Sequence, residues 1–206
     1  MKPADKKIYL ASKSPRRREL LRQIGVEFEL LLLRDHSPRG PEVSEAVHEG
    51  ESPADYVARV AAEKGVFARN VMEKRKLPAR PVLSADTSVV LDGRIFGKPA
   101  EAKEAAEMLR ALSGRTHQVM TAISLHRDDQ SWQVTHVSEV TFAQLDEKTI
   151  TTYCATLEPY DKAGGYGIQG AAAIFIERIA GSYSGIMGLP LFETSQLLEM
   201  AGIQVL

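Results

Sequence analysis

Ser14-Pro15-Arg16-Arg17-Arg18 puts three consecutive arginines where a helix begins. Serine is a favoured N-cap and proline a favoured first helical residue. The first turn of a helix carries partial positive charge and prefers acids. Three cations there are unfavourable unless an anion completes the site. Free N–H groups at a helix start, joined by forked guanidinium donors, suit a phosphate. The plainer reading is a solvated basic helix start, its arginines paired with Glu19 or with distant acids. A second helix start, Ser52-Pro53-Ala54-Asp55, carries an acid in its first turn, as the dipole prefers.

Further stretches have side chains suited to chemistry. In Ser84-Ala85-Asp86-Thr87 an aspartate lies just past one apolar strand and before another. Such an acid can hold Mg²⁺ or take a proton from water; an ordinary Asx-turn is the alternative. Phe96-Gly97-Lys98-Pro99 holds a lysine that could meet a phosphate or simply face solvent. Ser113-Gly114-Arg115-Thr116-His117-Gln118 is a polar link between helix and strand, and its His117 reads more readily as a satisfied loop group than as an acid–base catalyst. Asp161 to Gly170 carries four glycines in ten residues, which permits close backbone approach to a ligand. Tyr166 and Gln169 add stacking and hydrogen bonding there, although a long flexible loop would look similar. No G-x-x-x-x-G-K-[ST] and no strand-linked G-x-G-x-x-G occurs.

These residues need a scaffold. Ile8 to Ala11 reads as a short buried strand, Pro15 to Ile24 as a helix stopped by Gly25, and Phe28 to Leu33 as a strand. A polar loop over 34–50 has turn chemistry at Pro38-Arg39-Gly40-Pro41. The helix opened by Ser52 carries Val57, Val60, Ala61 and Lys64 to about Asn70. Pro81 to Ser84 is strand-like. Val89 to Leu91, Asp92-Gly93 and Arg94 to Phe96 form a hairpin with a primed turn. Helical spacing from Ala102 to Leu112 precedes two long strands, Val119 to Leu125 and Gln133 to Phe142. Asp146 caps a helix, Ile174 to Ile179 is a strand, and Pro190 opens a final helix. Interleaved helices and strands imply an α/β fold around a mixed sheet.

At 206 residues the chain can bury one core, so a single domain over 1–206 is expected, with 1–7 as a flexible N-terminal extension. The formal net charge of -1 makes phosphate recognition a local matter and argues against nucleic acid as a partner. A single cysteine, Cys154, excludes an intrachain disulfide and a cysteine-built zinc cluster. No signal peptide and no apolar run of membrane-spanning length is apparent, so a cytoplasmic protein without a membrane partner is expected.

Taken in order, Ser12-Lys13-Ser14-Pro15-Arg16-Arg17, Ala85-Asp86-Thr87, Gly97-Lys98-Pro99, Leu112-Ser113-Gly114-Arg115-Thr116-His117, Asp161 to Gly170 and Gly188-Leu189-Pro190 resemble the Maf family of nucleoside triphosphate pyrophosphatases. The resemblance runs from Ile8 over nearly the whole chain. The Asp161 to Gly170 stretch is similar to the branch acting on dTTP and UTP. The resemblance implies a fold shared with inosine triphosphate pyrophosphatases, a mixed twisted sheet flanked by helices with two lobes around a cleft. It implies Asp86 as proton acceptor, and Arg16, Thr87 and Gln169 as positions tied to substrate choice. Lys64 and Lys98 match phosphate contacts, with Ser12, Ser14 and Arg17 as further substrate-binding positions. A divalent cation, Mg²⁺ or Mn²⁺, is implied at Asp86 and a glutamate. Glu45 matches best, with Glu42 and Asp35 as alternatives. Gly165 stands where the family often has alanine.

The implied reaction is hydrolysis of dTTP, UTP and modified pyrimidine triphosphates to monophosphate and pyrophosphate. A rival reading is a nucleotide-sensing regulator, for instance in cell division, with weak or no turnover. An acid flanked by lysines exceeds what binding alone needs, which favours the enzyme. A homodimer is an option the sequence leaves open.

Overall fold

The computed structural model describes residues 7–32 and 43–205. The strands are β1 (Ile8–Leu10), β2 (Phe28–Leu30), β3 (Val82–Leu91), β4 (Arg94–Phe96), β5 (Thr116–Arg127), β6 (Gln130–Phe142) and β7 (Ile176–Ala180). The helices are α1 (Pro15–Gln23), α2 (Pro53–Lys74), α3 (Ala102–Leu112), α4 (Glu147–Cys154), α5 (Tyr183–Ile186) and α6 (Leu191–Met200). They build a seven-stranded mixed sheet in the order β2-β1-β3-β5-β6-β7, with β4 also on β3. β1 pairs parallel with β2 and β3, and the remaining ladders are antiparallel. The α/β class and mixed sheet expected from the sequence are present.

Local signals act as their chemistry dictates. Ser14 Oγ accepts from the Arg17 N–H, and Ser52 Oγ from the Asp55 N–H. Asp146 caps α4 by accepting from the Thr149 N–H at 2.7 Å. Asp92 and Gly93 both take positive φ, 51° and 77°, as a primed hairpin turn requires.

Several elements differ from expectation. The expected strands on either side of Asp86 are one continuous strand, β3, because β5 pairs with it from Val82 to Val90. A polar Ser84–Ser88 run weakens the sequence signal but not the backbone ladder. β5 likewise begins at Thr116, so His117 is a strand residue and not a loop group. α2 continues to Lys74, past Asn70. The Asp161 to Gly170 stretch is not an open loop: short 3-10 turns at Glu158–Asp161 and Ala163–Gly165 fold it, and another at Ala171–Phe175 follows. α5 has no counterpart among the expected elements. The turn at Pro38 to Pro41, Leu33, Asp35, Glu42 and most of the expected N-terminal extension lie outside the described residues.

The two faces of the sheet explain the cleft. On one face, Leu83 and Ala85 of β3 pack with Ile123 and Leu125 of β5 against α1 and α6. Further along the same face, Val89 and Leu91 pack with Val119, Val140 and Phe142 against α3 and α4. Between these apolar clusters stands a polar cross-strand pair, Thr87 opposite Thr121, with the hydroxyl oxygens 2.9 Å apart. On the other face α2 covers the sheet through Val57, Val60 and Ala61. Each fully buried aliphatic side chain of this kind contributes about 1.5–3 kcal/mol. Among the described residues no helix is long and apolar enough to cross a membrane.

His117 carries a consequence for stability. It is 2% exposed, its Nε2 lies 2.7 Å from the Tyr166 hydroxyl, and burial pulls its pKa down to about 4. The unfolded chain takes up a proton near pH 6.5, whereas the folded chain resists until about pH 4. The stabilisation is therefore complete above pH 6.5 and is lost as pH falls towards 4, by about 3 kcal/mol. Urea unfolding at pH 7 and pH 4 should show His117→Gln losing about 3 kcal/mol less than the unaltered protein. Equal losses in both would remove His117 from the acid response.

Candidate active site

β1 and β4 both pair with the same edge of β3, and they leave a gap between them. β1 reaches Leu83 and β4 starts at Val89, so the edge from Ala85 to Ser88 has no strand beside it. An unpaired edge exposes backbone groups that need other partners. Asp86 and Thr87 lie in this gap and point to opposite faces of the strand, and both are reachable because the edge is open. The cleft here has a volume of about 630 Å³. Ten residues nominated from the sequence line it: Ser12, Ser14, Arg16, Arg17, Glu45, Lys64, Asp86, Thr87, Lys98 and Gln169, whereas His117 lies in the apolar core away from it.

α2 delivers Lys64. The spacing Val57, Val60, Ala61, Lys64 places this lysine on the face that packs against the sheet. A lysine on a buried stripe is thus aimed at the strand beneath it. Its Nζ lies 2.8 Å from Asp86 Oδ1 and 2.6 Å from Glu45 Oε1. Two carboxylates from distant parts of the chain converge on one cation.

The arginines of α1 have separate tasks. Arg17 turns inward: its Nε donates to Gly188 O at 2.7 Å, and its Nη atoms donate to Ala85 O at 2.8 Å, Thr87 Oγ1 at 3.1 Å and Ser12 Oγ at 3.2 Å. Burial lowers its pKa, opposed by the nearby Asp86 charge. One guanidinium thereby takes the Ala85 carbonyl of the open β3 edge and ties α1 to the turn after α5. Arg16 faces the cleft, where Nη1 stands 3.4 Å from Asp161 Oδ2. Burial alone would raise the Asp161 carboxyl, but Lys162 and Arg16 hold it below the ordinary range. Arg18 is half-buried and does not line the cleft.

Across the cleft, the Gln169 segment is shaped from beneath. Glu158 accepts from the Ala171 N–H at 2.8 Å and the Tyr153 hydroxyl at 3.0 Å. A Cβ on Gly170 would lie 2.1 Å from Glu158 Oε1, and one on Gly164, with φ of 69°, would lie 2.9 Å from Val89 Cγ2. These two glycines permit close packing, and the segment holds its shape through it. Gln169 itself is exposed to the cleft.

Tyr56 and Asp161 also line the cleft, although the sequence does not single them out as site residues. Burial, with the Asp86 and Glu45 carboxylates, pushes the Tyr56 hydroxyl up to about 12, so it stays protonated and donates to Glu45 O at 3.0 Å. No local pattern flags Tyr56; only its neighbours across the fold do.

Among the described residues no cluster of three or more metal-ligating side chains occurs. The donor set still fits a divalent cation of the Mg²⁺ type, which takes one or two carboxylates and completes its shell with water and phosphate. The Lys64 ammonium, held by Asp86 and Glu45, marks where those carboxylates direct positive charge.

The chain is similar to known proteins over nearly its whole length. The dTTP/UTP pyrophosphatase of Aromatoleum aromaticum is 54% identical over 203 residues, covering 98% of each chain. That of Dechloromonas aromatica is 47% identical, covering 97% of this chain and 100% of its own. That of Ralstonia nicotianae is 54% identical, covering 95% and 94%. Among solved structures, the Staphylococcus aureus Ham1 protein aligns with a TM-score of 0.41 and 15% identity, over 66% of this chain and 72% of that one, a likeness too loose to argue from. The family model described as Maf-like protein matches residues 7–201, and the chain belongs to the Maf family.

Proposed function

We propose that this chain hydrolyses nucleoside triphosphates, dTTP and UTP foremost, to the monophosphate and pyrophosphate. The observation that carries this reading is the convergence of Asp86 and Glu45 on Lys64, inside a cleft lined by Arg16 and Lys98. Relatives that share about half of its residues bear the name dTTP/UTP pyrophosphatase. A triphosphate carries roughly four negative charges near pH 7, and its cleavage depends on positioning and charge stabilisation.

Asp86 accepts a proton from the attacking water. The water oxygen forms a bond to the α-phosphorus while the bond from that phosphorus to the α–β bridging oxygen breaks. The electron pair leaves with pyrophosphate. Lys64, Arg16 and Lys98 stabilise the charge that develops on the phosphate oxygens. Ser12 and Ser14, at the start of α1, present their hydroxyls to the phosphates. Thr87, fixed by Arg17 and Thr121, bounds the cleft from the strand side, and Gln169 offers an amide to the pyrimidine edge.

Asp86 and Glu45 are the residues that would hold Mg²⁺ or Mn²⁺. Such an ion, when bound, neutralises phosphate charge and lowers the pKa of water.

The test is product analysis with dTTP and UTP in Mg²⁺. Equal yields of nucleoside monophosphate and pyrophosphate are expected. Orthophosphate as the sole phosphorus product besides the nucleotide would refute cleavage at the α-phosphorus.

A further inference from the structure

We propose that Arg59 is a positioning residue for the cation site: it clamps the segment 44–51 onto α2 so that Glu45 stands beside Lys64 and Asp86. The inference rests on reading Glu45 as a metal-holding carboxylate. Neither Arg59 nor Glu51, its main partner, lines the cleft.

Residues 44–51 form no helix or strand, so their carbonyls take no ladder partner. Three successive carbonyls are held by two side chains of α2. Arg59 Nη1 donates to Ser44 O at 3.4 Å, the Tyr56 hydroxyl to Glu45 O at 3.0 Å, and Arg59 Nη2 to Ala46 O at 2.9 Å. The backbone is thus fixed on both sides of Glu45 and at Glu45 itself. That determines where its carboxylate can reach.

Arg59 is in turn fixed from the far end of the same segment. Its Nε and Nη2 meet the two Glu51 oxygens at 2.6 and 2.9 Å, the forked pairing that a planar guanidinium favours. Glu51 also accepts from the His48 N–H at 3.0 Å. The hydrogen bonds from Arg59 and His48 keep the Glu51 carboxyl at about 2, so the clamp stays charged at any working pH. The Arg59 guanidinium lies 5.6 Å from the Tyr56 ring centroid, so both holders of the segment also support each other. A lysine at 59 would retain charge but could not reach two carbonyls and a carboxylate at once.

The deciding measurement is Mn²⁺ affinity by calorimetric titration of the whole protein with a non-hydrolysable UTP analogue present. Hydrogen exchange of the 44–51 amides is followed alongside it. Arg59→Gln should weaken Mn²⁺ binding about tenfold to a hundredfold, the range for groups that support a metal ligand. Exchange over 44–51 should quicken while the rest of the chain stays protected. Glu51→Gln should give the same pattern, and carries the test if Arg59→Gln does not fold. Added to Glu45→Gln, the Arg59→Gln change should weaken binding by no more than about twofold, because the carboxylate it positions is already gone. If Glu45→Gln weakens Mn²⁺ binding and Arg59→Gln does not, the clamp is refuted and the reading of Glu45 survives. If Glu45→Gln leaves the affinity unchanged, that reading fails and takes the clamp with it.

Discussion

Asp86→Asn should leave a folded protein whose turnover of dTTP is lower by about a hundredfold or more, the scale of lost acid–base assistance. The substitution keeps the shape and removes the charge. Asp86 lies mid-strand in β3, where the backbone ladder to Ala122 of β5 does not depend on its side chain. Lys64 retains Glu45 at 2.6 Å, so the lysine is not left as an uncompensated buried charge. A change in melting temperature of no more than a few degrees is therefore expected. Pyrophosphate release followed in parallel with circular dichroism separates chemistry from folding. Turnover within a few-fold of the unaltered enzyme would remove Asp86 as proton acceptor.

The second large effect distinguishes two neighbouring arginines. Arg17→Ala should lower stability by about 3–5 kcal/mol, because it strips donors from four protein oxygens around the open β3 edge. Each abandoned acceptor costs about 1–3 kcal/mol, and the losses in one network are not additive. For a chain of this size the melting temperature should fall by roughly 10 °C. Arg16→Ala should do the reverse. Its guanidinium makes a long hydrogen bond to a half-exposed Asp161, a contact of little structural weight. Stability should change by about 0.5 kcal/mol or less. Activity should fall about tenfold in kcat/KM, as one charged contact to phosphate is lost. Thermal melts and steady-state kinetics on both variants test the division. An unchanged melt for Arg17→Ala would show that its contacts are not structural.

The arginine-rich helix start illustrates what a sequence can and cannot reveal. The cap at Ser14, Pro15 at the first position and the absence of acid in the first turn are local facts, and α1 begins where they indicate. Their spacing cannot show that Arg17 turns inward to Gly188, a residue 171 positions away. Lys64 is more legible, because a lysine on the i, i+3, i+4, i+7 face of α2 must reach the sheet. Asp86 is recognisable by its motif, but its element is not: Ser84, Thr87 and Ser88 break the apolar pattern, while the ladder to β5 continues unbroken. His117 misleads for the same reason. A polar stretch after a helix looks like a loop until a partner strand pairs with it.

Caps, turns and helix faces were determined by the sequence itself, because their hydrogen bonds and dihedral preferences close within a few residues. The family motifs were equally legible, and most of them, though not the Leu112 to His117 run, place side chains in one cleft. The gap between β1 and β4 was decided only by the tertiary structure. So were the meeting of Glu45 with Asp86 at Lys64, and the hold of Arg59 on the segment that carries Glu45. Each of these depends on which strands pair and where α2 crosses them. Such pairings join residues tens of positions apart, and their energy comes from burial and ladder completion that no local window contains.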